Sequence, residues 1–245
     1  ITRGDNQSIC ICKEGYHGQD GVGCKKCPEG TYKSVTGNAS CSQCPKYATS
    51  DPASTGILDC SCDKGYTGNG SVACEACPAG TYKDAVGSGP CLNCTFASVS
   101  DSGSARCQCI EGYTSTESKT CQMCESGKYK SQVSNRKCSD CPSHSTSPVG
   151  SSLKSNCSCL AGYAYVDGKD CKACSPGTYK ADQGNGQCLP CPQNQSSNSA
   201  STSCTCKKGY TKVNNESLCL PCDVGKYKAT LGTDSSTECP VNSTT

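Results

Sequence analysis

The 245-residue chain has no tryptophan, one phenylalanine (Phe96), one methionine (Met123) and two histidines (His17 and His144). A globular domain of this length normally buries a large Leu/Ile/Val/Phe core, and the residues for one are missing. No apolar run approaches the roughly 18 residues that span a bilayer. The formal net charge is only +2, which points to neither nucleic acid nor an anionic membrane as a partner. Histidines far apart in loop-like settings, with no nucleophile–base arrangement in view, give no support to enzyme chemistry. No catalytic, cofactor-binding or metal-binding residue is assigned. The chain opens at Ile1 without an initiator methionine or a signal-peptide pattern, so it reads as a mature or excised segment of something longer.

What the chain has instead is cysteine, 29 residues of it. One unit repeats along the sequence: C-x-C-x-x-G-Y, then C-x-x-C, then G-x-Y-K, then a second C-x-x-C. Its first cysteine recurs at Cys10, Cys60, Cys107, Cys157 and Cys204. Such self-similarity marks an array of small units, and cysteine at this density marks units held by disulfides in place of a core.

The compartment follows from two independent features. Dense, regular cysteine is a disulfide framework where the environment is oxidising. Eight of the twelve asparagines, Asn6, Asn38, Asn69, Asn93, Asn156, Asn194, Asn215 and Asn242, stand in N-x-[ST], the acceptor for N-linked glycans. Both point to an extracellular chain, secreted or at the cell surface, carrying covalent N-linked glycans, with O-linked sugar a further option.

Six cysteines per unit leave 15 connectivities open to sequence reading alone. If each module begins at the second cysteine of the first C-x-x-C, module A (27–76) holds Cys27, Cys41, Cys44, Cys60, Cys62 and Cys74. Module B (77–123) holds Cys77, Cys91, Cys94, Cys107, Cys109 and Cys121. Module C (124–173) holds Cys124, Cys138, Cys141, Cys157, Cys159 and Cys171. Module D (174–221) holds Cys174, Cys188, Cys191, Cys204, Cys206 and Cys219. A C-terminal half-module (1–26, with Cys10, Cys12 and Cys24) precedes them, and an N-terminal half-module (222–245, with Cys222 and Cys239) follows.

In that frame the cysteine order and the C-x-C-x-x-G-Y signature resemble the EGF-like module. The stretches Cys27-Pro28-Glu29-Gly30-Thr31-Tyr32-Lys33 and Cys77-Pro78-Ala79-Gly80-Thr81-Tyr82-Lys83 resemble the cysteine-rich repeat of ephrin receptors and related extracellular proteins. The EGF resemblance implies first–third, second–fourth and fifth–sixth pairing. It implies Cys12–Cys24 at the head and Cys222–Cys239 at the tail, where Ser236 holds the second-cysteine position. Cys10 is left unpaired or with an outside partner. The fold class expected is small and disulfide-rich, mostly irregular with short β-hairpins, in an elongated linear array of EGF-like modules.

Ten of the twelve tyrosines fall at two repeat positions. Tyr16, Tyr66, Tyr113, Tyr163 and Tyr210 follow glycine; Tyr32, Tyr82, Tyr129, Tyr179 and Tyr227 precede lysine. A tyrosine suits covering a disulfide in a thin module, and the glycines before the first set mark turns with unusual backbone angles. Strands of two to four residues and essentially no helix are expected. Ser-rich loops such as 95–106 and 192–203 read as exposed.

Three further patterns bear on function. Cys24-x-x-Cys27 with Cys41-x-x-Cys44 has zinc-ribbon spacing, but the repeated C-x-C pairs and the sequons argue against a metal. Arg3-Gly4-Asp5 has the form of an adhesion tripeptide beside a chain end. The calcium-binding EGF-like module needs an acidic cluster before its first cysteine, where this chain has Lys25-Lys26 or Glu75-Ala76.

The ends also fit each other. Joining Thr245 to the Ile1 of a second copy reproduces the spacing from Cys44 to Cys60. The expectation is therefore a non-catalytic structural glycoprotein, a repeat segment or protomer of a filament or matrix whose copies meet head-to-tail. The alternative is a ligand-binding or adhesion ectodomain of a receptor with ephrin-receptor-like repeats.

Overall fold

Short strands bounded by glycine, with almost no aliphatic residue to bury, build hairpins and nothing larger. The structure, a computed structural model, describes residues 10–166, 170–212 and 218–243. Among these there is no α-helix, only two single 3-10 turns, Ile57–Asp59 and Lys154–Asn156. All the sheets among the described residues are two-stranded. The architecture is a disulfide-rich tandem array of short antiparallel hairpins.

Three hairpins recur in order within each repeat. The longest starts at the G-Y tyrosine, as in Tyr66–Asn69 with Ala73–Ala76, where Tyr66 faces Ala76. The next is two residues long and ends at the Y-K tyrosine, as in Thr81–Tyr82 with Leu92–Asn93. The third, such as Ser98–Val99 with Gln108–Cys109, ends on the C-x-C pair. An isolated two-stranded hairpin is marginal in water, so each needs an outside fastening.

The chain divides into two units. One comprises Ile1–Ile110, Ser115–Gln122 and Val133–Asn135; the other comprises Glu111–Thr114, Met123–Gln132 and Arg136–Thr245. Among the described residues of the first, the buried apolar ones are Cys12, Cys27, Cys60, Cys62, Cys77 and Cys109. Among those of the second, they are Cys124, Cys157, Cys159, Cys171, Cys174, Cys206 and Cys219, with Ala164 the one that is not cysteine. Sulfur thus occupies the space that leucine and phenylalanine fill elsewhere.

Candidate functional site: the stapled repeat and its sequons

Thirteen disulfides join the described residues, and their order corrects the expected connectivity. Module A is closed by Cys27–Cys41, Cys44–Cys60 and Cys62–Cys74. Module B has Cys77–Cys91, Cys94–Cys107 and Cys109–Cys121. Module C has Cys124–Cys138, Cys141–Cys157 and Cys159–Cys171. Module D has Cys174–Cys188, Cys191–Cys204 and Cys206–Cys219. Cys12–Cys24 closes the head. The pairing is first–second, third–fourth and fifth–sixth; the crossed pairs Cys27–Cys44 and Cys41–Cys60, with their counterparts in the other modules, are not formed.

Hairpin geometry explains the difference. Cys41 directly precedes the strand Ser42–Gln43, which returns along Thr31–Tyr32 just after Cys27. Cys60 directly precedes Ser61–Cys62, which returns along Ala48–Thr49 just after Cys44. Each hairpin brings its own two cysteines to a Cα separation of 5.8 Å, ordinary for a disulfide. A crossed pairing would have to tie one hairpin to the next. The expected Cys222–Cys239 bridge is absent for the same reason: Cys222 needs a second cysteine and finds Ser236. Cys222 and Cys239 are unbridged and half-buried, and Cys10 is unbridged and exposed. The zinc-spaced sulfurs of Cys24, Cys27, Cys41 and Cys44 are each consumed in a disulfide, so they are not thiolates offered to a metal.

The repeated lysine of Y-K is the feature that sequence reading passed over. Lys33, Lys83, Lys130, Lys180 and Lys228 are only 2–7% exposed. Each sends its ammonium to backbone carbonyls at or just before the preceding G-Y turn, and some also bond their own loop. Lys33 Nζ donates to the carbonyls of Tyr16, at 2.8 Å, and Gly37. Lys83 Nζ donates to Cys62 and Asp63, both at 3.2 Å. Lys130 donates to Tyr113 at 2.6 Å. Lys180 donates to Leu160 at 3.3 Å and to Asp182 at 2.7 Å. Lys228 donates to Tyr210 at 3.1 Å. One side chain with three donors thus ties two hairpins through groups that sheet pairing leaves unbonded. Burial pushes the ammonium groups of Lys83, Lys130 and Lys180 down from their ordinary range, against the opposing pull of Asp63, Glu111 and Asp182 respectively.

The main chain makes the same joint. Gly65 N–H donates to Lys83 C=O at 2.8 Å and Gly65 C=O accepts Cys77 N–H at 2.9 Å. Gly65 has φ +82°, and a Cβ there would stand 2.1 Å from Gly103 O. Only glycine fits. A buried serine completes the set: Ser50 and Ser147 Oγ donate to Thr31 and Lys128 C=O, both at 3.0 Å. The repeat tyrosines lie half-buried over these joints, apart from the exposed Tyr227. Tyr66 stacks on Tyr47 at 4.1 Å, and Tyr163 on His144 at 4.1 Å, which gives that histidine a packing role.

Of the sequons, Asn38, Asn69, Asn93, Asn156 and Asn242 are exposed. Asn194 is half-buried, and its Nδ2 donates to Cys219 C=O at 3.4 Å. Asn6, Asn215 and the Arg3-Gly4-Asp5 tripeptide lie outside the described residues. The first unit also holds a cleft of about 570 Å³ lined by Lys64, Tyr82, Asp84, Arg106, Lys119 and Asn135, among others. Lys119 and Asp84 form an ion pair there, at 3.9 Å and solvent-exposed, and the wall keeps a surplus of cations.

A family model described as tyrosine-protein kinase ephrin type A/B receptor-like matches the chain four times, at residues 15–60, 65–109, 112–157 and 162–206. The chain belongs to this ephrin-receptor-like repeat family. A 48-residue stretch is 42% identical to ephrin type-B receptor 1 of Gallus gallus, covering 20% of this chain and 5% of that receptor. The chain therefore shares only a small part of that relative's length. Ephrin-receptor-like repeats with thirteen disulfides imply an extracellular or cell-surface location. No helix among the described residues is long and apolar enough to cross a membrane.

Proposed function

We propose that the chain is a non-catalytic, glycosylated segment of a receptor-like extracellular protein, whose stapled repeats present a binding surface outside the cell. The four tandem family matches carry this reading. The boundaries 27–76, 77–123, 124–173 and 174–221 serve as the covalent modules, since each encloses three whole disulfides. The hydrogen-bonded joint of glycine and lysine then works between covalent modules, as neighbour-to-neighbour fastening does in repeat proteins. The test is surface labelling of intact, unpermeabilised cells that make the natural protein, using an antibody to this segment. Labelling with all thirteen bridges oxidised supports the reading. Protein found only inside cells, with free thiols, overturns it.

A further inference from the structure

Two sequons have a cysteine as their middle residue: Asn93-Cys94-Thr95 and Asn156-Cys157-Ser158. Both cysteines are bridged, Cys94 to Cys107 and Cys157 to Cys141. The backbone around each bridge is engaged as well. Asn93 pairs with Thr81, and Cys94 N–H donates to Gly80 C=O at 2.9 Å. Asn156 ends a 3-10 turn and its Oδ1 accepts Leu153 N–H at 2.9 Å. Cys157 N–H donates to Lys154 C=O at 3.1 Å, and Ser158 pairs with Thr146. A transferase must draw all three residues of a sequon into its own site, so the finished fold withholds both. Yet Asn93 and Asn156 are exposed, and neither Nδ2 has a partner among the described residues. A glycan fits the folded repeat but cannot be added to it. Asn38-Ala39-Ser40 is the internal contrast, an exposed loop sequon without cysteine.

We propose that glycosylation at Asn156, and more weakly at Asn93, competes with closure of the disulfide through the next residue, so that sugar occupancy records which reaction came first. The proposal rests on the reading of the chain as an extracellular glycoprotein. In one reaction Asn Nδ2 loses a proton and bonds the anomeric carbon of an oligosaccharide. The bond from that carbon to the lipid diphosphate of the donor breaks, and the diphosphate leaves with the electron pair. In the other, two cysteine thiols give up two protons and two electrons to a disulfide oxidant, which is reduced to a dithiol.

The two sites differ in which cysteine emerges first. Cys94 is the earlier member of its bridge, with its mate 13 residues downstream. At roughly 5–20 residues per second of synthesis, the Asn93 sequon has about a second before its bridge can close. Cys157 is the later member, and Cys141 lies 16 residues upstream, already waiting when the Asn156 sequon appears. Asn156 is therefore the site that folding closes off.

The experiment is glycopeptide mass spectrometry on the newly made protein in secretory cells. Occupancy is expected to be high at Asn38, intermediate at Asn93 and lowest at Asn156. Cys141→Ser, which removes the waiting thiol, is expected to raise Asn156 occupancy by about two-fold or more, since bridge closure on a scale of seconds is comparable with the time over which synthesis delivers the sequon, while Asn38, whose sequon holds no cysteine, stays unchanged. Brief treatment of wild-type cells with dithiothreitol is expected to give the same rise, so misfolding of the variant does not confuse the result. Asn156 occupied as fully as Asn38 in the wild type overturns the proposal. So does occupancy that neither Cys141→Ser nor dithiothreitol changes. If Asn38, Asn69 and every other sequon are also bare, the glycoprotein reading itself falls, and that outcome is distinct because Asn38 needs no competition.

Discussion

The complete repeat at 65–109 and the last hairpin of the chain share one geometry with and without sulfur. In the complete repeat Leu92 faces Tyr82 and Asn93 faces Thr81, with Cys77 bridged to Cys91. In the last, Thr237 faces Tyr227 and Glu238 faces Lys226, with Cys222 unbridged. By that register Ser236 stands where Cys91 does. The joint persists: Gly209 N–H donates to Lys228 C=O at 2.9 Å, and Lys228 remains buried. The hairpin is therefore set by backbone bonds, glycine and lysine. The disulfide acts mainly on the unfolded chain, by removing loop entropy that folding would otherwise have to remove.

The sharpest way to break this comparison is to make the two hairpins alike. Ser236→Cys is expected to give Cys222 a disulfide partner without altering the register, and to stabilise the last hairpin by about 3 kcal/mol, the value for a loop of this length. Non-reducing peptide mapping and local hydrogen exchange read both quantities. The reciprocal change, Cys77→Ser with Cys91→Ser, is expected to destabilise its repeat by a similar amount while retaining the pairing of Tyr82 with Leu92. If Cys222 stays a thiol in Ser236→Cys, or the pairing of Tyr82 dissolves with the bridge, sulfur and not backbone dictates the hairpin.

Glycine separates space from backbone angle. Gly65 and Gly80 have φ of +82° and +80°, yet a Cβ at Gly65 meets Gly103 O at 2.1 Å and one at Gly80 meets nothing within 4 Å. Gly80→Ala carries only the left-handed strain, about 1 kcal/mol. Gly65→Ala adds a backbone collision and is expected to cost about 3 kcal/mol. Chemical denaturation of the two variants checks the ratio; equal losses would mean that the close approach at the joint is not a constraint.

The tandem family, the hairpins and the absence of an oily core were legible because cysteine, glycine and tyrosine recur at fixed positions. The connectivity was not. Cysteine order in the chosen frame resembles that of a module with crossed bridges, and order carries no information about which strand returns along which. That is settled by the turn after Cys27, which sends Tyr32 back against Ser42 before Cys44 is reached. The buried lysine was in plain view in Y-K, but a lysine is read as solvated by default. Its five-fold recurrence beside a repeated tyrosine was the signal that could have exposed it. The sequons were visible as letters; that two of them thread through disulfides needed the pairing.

Truncating one joint lysine gives a smaller effect than Gly65→Ala. Lys83→Ala leaves the carbonyls of Cys62 and Asp63 without the ammonium that now bonds them, and is expected to cost about 2 kcal/mol. Thermal unfolding of the oxidised protein reads it. The comparison with Ser236→Cys then ranks sulfur against lysine within one repeat type; no loss on truncation would make the ammonium a bystander.

The smallest effect is the lysine titration, and its sign is definite. Burial is the main cause that lowers the Lys83, Lys130 and Lys180 values from 10.5. Between the lowered folded value and the unfolded value, the unfolded chain binds more protons, so stability rises with pH across that window and levels off above it. Below the window both states are protonated, and the desolvation cost is carried in full. Lysine Cε chemical shifts followed by NMR should place the midpoint of each of the three below that of the same residue in the reduced, unfolded chain. Asp63→Asn should lower Lys83 further, because that carboxylate is the opposing charge. Midpoints equal in the folded and unfolded chains would mean that water reaches these ammonium groups, and that the joint between hairpins is held by its glycine and its backbone alone.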